Sequence, residues 1–75
     1  MEPVERALWL VEKTRELGRI SGSTLAAVPG WDRVKAHRYL TKLAQLGWLE
    51  RLSTTGRPIY VLGPKVIALA LEVRL

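Results

Sequence analysis

The stretch Asp32-Arg33-Val34-Lys35-Ala36-His37-Arg38-Tyr39-Leu40-Thr41-Lys42 gathers the groups of this chain best suited to chemistry with an anion. At helical spacing, Val34, Arg38, Thr41 and Gln45 share one arc, with His37 on one shoulder and Lys35 and Lys42 on the other. Ala36, Leu40, Leu43 and Gly47 form the opposite stripe, flanked by Tyr39 and Leu46, and are expected to pack inward. The outward arc is therefore basic and rich in hydrogen-bond donors. Any one of these charges alone is what a solvated helix face carries, whereas the set together is what a polyanion would require.

Catalysis has little to stand on. His37 is the sole histidine, there is no cysteine, and no neighbouring acid completes a triad. Its imidazole is expected to make a structural hydrogen bond or a phosphate contact. Without thiolates or paired imidazoles, no metal site or disulfide framework is expected, and no cofactor. No Gly-rich phosphate cradle is present either, so the chain is expected not to be an enzyme.

The charge is as localised as the donors. Twelve Lys and Arg against seven Asp and Glu give a formal +5 over 75 residues. Residues 1–28 hold four bases and four acids, and 66–75 hold one of each. The stretch 29–65 holds seven bases and two acids, so the whole excess lies there. A basic surplus confined to one segment is the electrostatic footprint of a polyanion binder.

The elements that must carry these groups can be read in order. Residues 3–17 predict an amphipathic helix, with Pro3 in its first turn, Val4, Ala7, Leu8, Val11 and Thr14 on one apolar face, and Gly18 as its stop. Ser21 or Ser23 can cap a second helix to about Val28, ended by Pro29-Gly30. Asp32 is the N-cap of a third helix through Leu46, and Gly47 its left-handed end. Trp48–Leu52 and Ile59–Leu62, around the polar Ser53–Pro58, predict a β-hairpin. Pro64 opens a last helix over 65–75, although the alternation of Ile67, Leu69, Leu71, Val73 and Leu75 also fits a strand.

The expected fold is thus mainly α with a small β-hairpin: three helices, a two-stranded wing and a C-terminal helix in one domain, a winged helix-turn-helix. From Ser21 to Lys65 the chain resembles the N-terminal DNA-binding domain of IclR-type transcription regulators. The residues carrying the resemblance are Leu25-Ala26, then Ala36-His37-Arg38-Tyr39-Leu40 with Leu43, Leu46 and Gly47, then Trp48-Leu49-Glu50-Arg51 and Tyr60-Val61-Leu62-Gly63-Pro64-Lys65. It implies sequence-specific binding of double-stranded DNA by a small transcription regulator. Those regulators usually open the third helix with a Pro-Lys-Ser-Thr type sequence, where this chain has Asp32-Arg33-Val34-Lys35, so no base preference is implied. Their effector domain lies beyond the matched stretch, and no small-molecule effector site is expected.

On such a fold the third helix suits a B-DNA major groove. Arg38 is the first candidate for a base edge, Val34 for a thymine methyl, and Thr41 for a base edge or a phosphate. Lys35 and Lys42 are candidates for phosphates, which position a protein without reading sequence, and Arg33 and His37 are further candidates for DNA contact. At the hairpin tip Thr55 and Arg57 face a minor groove or a phosphate, and Ser21 and Ser23 either cap their helix or donate to a phosphate.

Two features point to a second surface. Trp9 lies half a turn from the predicted apolar face of its helix, among Glu5, Glu12 and Glu16, and the segment 65–75 is almost wholly apolar. A core of this size has little room for it, so a symmetric homodimer using Trp9, Val66, Ile67, Leu69, Ala70 and Val73 is expected. The alternative is that 65–75 covers the chain's own core. A different function also fits the same pattern: a winged-helix protein-interaction or RNA-binding subunit of a larger assembly. No run of residues is long and apolar enough for a membrane span, and acids stand where a signal peptide carries bases. A cytoplasmic rather than secreted protein, with no membrane partner, is expected.

Overall fold

The structure, a computed structural model, describes residues 2–52 and 57–73, with side chains to residue 69 in the last helix. It is mainly helical with a small antiparallel sheet: α1 (Pro3–Leu17), β1 (Ile20–Ser21), α2 (Gly22–Ala26), α3 (Arg33–Leu46), β2 (Leu49–Leu52), β3 (Ile59–Leu62) and α4 (Pro64–Val73). The last segment is a helix, which resolves the choice left open by its alternation.

Local chemistry sets the limits of these elements. Asp32 Oδ1 accepts from the Lys35 backbone N–H at 2.7 Å and opens α3. At its other end Gly47 takes φ +88°, and its N–H donates to the Ala44 carbonyl. Ser21 Oγ accepts from the Thr24 N–H, so Ser21 is the cap of α2. This helix is shorter than expected, ending at Ala26, because the Val28 N–H turns back to Leu25 and the Trp31 N–H to Val28 across Pro29-Gly30.

The hairpin pairs Leu49 with Leu62 and Leu52 with Ile59. A third strand adds to it. Ile20 and Ser21 pair with Tyr60 and Ile59, giving the sheet order β1-β3-β2 with β3 central. A two-residue strand has no periodicity to read, so its existence depended on the far edge of β3 needing a partner.

The core draws on every layer: Leu10 of α1, Ile20 of β1, Leu25 of α2, Leu40 and Leu43 of α3, Leu49 of β2 and Tyr60 of β3. The predicted inward face of α1 holds only in part: Thr14 is fully buried and Ala7 and Val11 pack on the core, but Val4 and Leu8 are 69% and 66% exposed, and Leu10, outside that face, is fully buried. The Thr14 hydroxyl donates to the Leu10 carbonyl at 2.8 Å, which settles its polarity inside the core.

Aromatic packing explains the turn of the helix. Trp9 packs on Trp31 at 5.8 Å between ring centroids, and Trp31 meets Tyr39 edge-on at 5.3 Å. Arg6 lies 4.8 Å over Trp31 and donates to the Gly30 carbonyl, while Lys13 lies 5.5 Å from Trp9. Burying indole against indole removes more apolar surface from water than Val4 and Leu8 would. Trp9 is therefore not the unpartnered residue its helical position suggested; it joins α1 to the turn before α3.

Candidate nucleic-acid interface

With Ala36, Leu40 and Leu43 buried, α3 turns its opposite side to solvent. Val34 is 69% exposed, Arg38 and Lys42 are exposed, and Thr41 and Lys35 are half-buried at the margins. The inward stripe and outward arc are as their spacing required, except that Leu46 stands 43% exposed at the end of the helix.

Electrostatics leaves this arc positive. Among the described residues the ion pairs join Lys13 to Glu16 and Arg15 to Glu12, both within α1. The hydrogen bond from Arg15 holds the Glu12 carboxyl below the usual carboxylate range. Among the described residues Arg33, Lys35, Arg38 and Lys42 have no carboxylate within ion-pair distance, and Asp32 is engaged in capping. The four cations of α3 therefore remain available to an external anion.

The residues singled out in the sequence divide into two groups. Arg33 and His37, on the shoulder of α3 toward α2, meet Ser21 and Ser23 from the start of α2 and Arg57 ahead of β3. They surround a cleft of about 270 Å³ whose floor is Leu40, Pro58 and Tyr60. Val34, Arg38, Thr41 and Lys42 belong instead to the outward arc. Thr55 lies outside the described residues. Ser21 Oγ is occupied by the cap and stands 3.2 Å from Ser23 Oγ, which leaves Ser23 the more available hydroxyl.

Sequence reasoning missed Pro58 and Tyr60 as cleft residues. Their place depends on the register that sets Tyr60 opposite both Ile20 and Arg51, which no local pattern encodes. Lys65, counted in the basic stretch, has a packing role: its ammonium lies 5.7 Å from the Trp48 ring and its stem occupies the space that a side chain at position 47 would take.

A second, apolar groove of about 500 Å³ lies away from the cleft. Val4, Leu8 and Val11 of α1, Leu46 of α3, and Val66 and Leu69 of α4 line it, and Trp48 lies along it. Ile67 and Leu69 are about half exposed. Of the residues expected at a dimer surface, Val66 and Leu69 meet in this groove, Ile67 is exposed nearby, and the side chains of Ala70 and Val73 lie outside those described. Trp9 does not line the groove, because Trp31 has taken it.

Among the described residues no His, Cys, Asp or Glu cluster could hold a metal ion, and no helix is long and apolar enough to cross a membrane. Compared with protein-family models, curated proteins and solved structures, the chain matches none of them.

Proposed function

We propose that this protein is a winged helix-turn-helix binder of double-stranded DNA, acting as a small homodimeric transcription regulator without catalytic activity. The observation that carries the reading is the outward side of α3, where Lys35, Arg38 and Lys42 stand with no acid in the helix and, among the described residues, no ion pair. An α-helix of this kind fits the major groove, where Arg38 would meet guanine acceptors and the flanking lysines would meet phosphates. The element order supports it: α1-β1-α2-α3-β2-β3, with β1 returning to the far edge of β3, is the order of a winged helix. The resemblance of residues 21–65 to the DNA-binding domain of IclR-type regulators agrees with both.

The homodimer rests on the apolar groove between α1 and α4. A second copy placed there would set two α3 helices on half-sites about one DNA turn apart. Electrophoretic titration of the chain with duplex DNA at two salt concentrations tests the function. A retarded complex that weakens steeply with salt is expected. A protein adaptor would give no salt-sensitive shift, and preference for a single-stranded RNA would favour an RNA-binding subunit instead.

A further inference from the structure

The cleft beside α3 has features that a major-groove helix does not need. Its cationic and hydroxyl groups come from three places in the chain, Ser23 after β1, Arg33 and His37 on α3, and Arg57 before β3. The fold, not local sequence, brings them together. Among the described residues its lining contains no carboxylate, so a bound cation would meet only like charge there. Its floor of Leu40, Pro58 and Tyr60 is apolar, which a bare inorganic ion would leave facing water.

We propose that this cleft binds a sugar phosphate: a phosphate group held by Arg33, His37 and Arg57, with the C–H face of the attached ring on Leu40, Pro58 and Tyr60. Size favours one phosphate on one ring. At about 270 Å³ the cleft lies just below the ~300–1,000 Å³ of pockets for drug-sized ligands, a size that one ring and one phosphate fill. Guanidinium groups suit phosphate because their planar forks donate two parallel hydrogen bonds. The Ser23 hydroxyl, exposed and not used as the α2 cap, can add a further donor.

The sugar phosphate can be free or a unit of a nucleic-acid strand. Binding of the free form does not depend on duplex binding, whereas the strand form rests on the function proposed above. The test is an NMR titration of the full chain, followed through its backbone amides, with ribose 5-phosphate, ribose and inorganic phosphate in parallel. Ribose 5-phosphate is expected to give saturable shifts confined to residues 21–23, 33, 37, 57, 59 and 60. Inorganic phosphate should bind more weakly and ribose not at all. Arg33→Gln and His37→Gln, both at exposed positions, should each weaken binding about tenfold, the loss of one charge-assisted hydrogen bond, while Lys42→Gln should not. Shifts spread equally over Lys35, Lys42 and Arg51 with every anion, or unchanged affinity in Arg33→Gln, would overturn the site.

Duplex DNA added to the saturated complex separates the two sources. Loss of duplex affinity beyond that caused by equal ionic strength makes the strand backbone a second occupant, and unaffected affinity restricts the cleft to the free ester. A chain that binds duplex but no ester disproves the cleft alone. A chain that binds ester but no duplex disproves the proposed function alone.

Discussion

Trp9 and Trp31 lie with ring centroids 5.8 Å apart and planes tilted by 31°, and this contact fastens α1 to the turn that precedes α3. Tyr39 closes the far edge of Trp31, and Arg6 covers its face. The N-terminal helix and the helix that presents the cations are thereby held at one angle. Trp9 is half-buried, so Trp9→Ala should cost about 2 kcal/mol, roughly half of the ~3–5 kcal/mol for a fully buried large aromatic. In a domain of this length that lowers Tm by roughly 10 °C. Thermal unfolding followed by circular dichroism checks it, and Trp9→Phe should recover most of the loss. A Trp9→Ala variant melting with the parent would show that the indole pair holds nothing together.

Gly63 is required by close backbone approach. A Cβ there would stand 2.3 Å from the Gly47 carbonyl oxygen and 2.8 Å from the Leu49 nitrogen, neither of which can swing aside. The same contact is fastened by the Gly63 N–H donating to the Trp48 carbonyl and the Lys65 N–H to that of Gly47. Gly63→Ala should therefore destabilise by about 3 kcal/mol or more, the upper part of the range for overpacking. Gly22 meets nothing within 4 Å and has no positive φ. Gly22→Ala should raise stability by about 0.5 kcal/mol. Urea unfolding of the pair measures both, and similar effects at the two glycines would contradict the packing described.

Local rules explain what could be read beforehand. Asp32 and Gly47 announce the ends of α3 because capping needs only neighbouring residues, and the Ala36-Leu40-Leu43 stripe needs only the helical period. The face of α1 was not legible in the same way. Its most buried residue, Leu10, lay beside the apolar stripe, and the helix orientation depends on Trp31, far along the chain. Likewise β1 exists because β3 has an edge to fill, and the cleft exists because Pro58 and Tyr60 arrive beside Arg33 and His37. The residue types of the candidate site were visible in the sequence; their division between an outward arc and a cleft was a property of the folded chain.

On the outward arc, Arg38 and Lys42 are expected to fail differently when removed. If Arg38 reads a base edge, Arg38→Ala should cost about 1–3 kcal/mol on the preferred duplex and little on random sequence. If Lys42 meets a phosphate, Lys42→Ala should weaken binding on all sequences and reduce the slope of log K against log salt by about one. Selection from random duplexes supplies the preferred site, and titrations over a salt series supply the slopes. Equal losses for Arg38→Ala on both duplexes would remove it from base reading, and an unchanged slope would remove Lys42 from the backbone.

Leu8 decides whether the apolar groove is filled by a second copy. It is 66% exposed and lines the groove with Val4, which is as exposed, and with Leu46 and Leu69, which are about half exposed. Because it carries so little of the core, Leu8→Lys should change the stability of the isolated chain by no more than about 0.5 kcal/mol. A lysine there also faces Glu12 one turn on, a favourable spacing in a helix. In a dimer the effect is larger, since a charge would enter an apolar interface. Association makes stability depend on concentration, so the parent chain should melt at higher temperature as it is concentrated, and Leu8→Lys should not. Sedimentation should show the corresponding dimer and monomer. A parent chain that stays monomeric at micromolar concentration, with a melting temperature independent of concentration, would assign the groove to something other than its own copy.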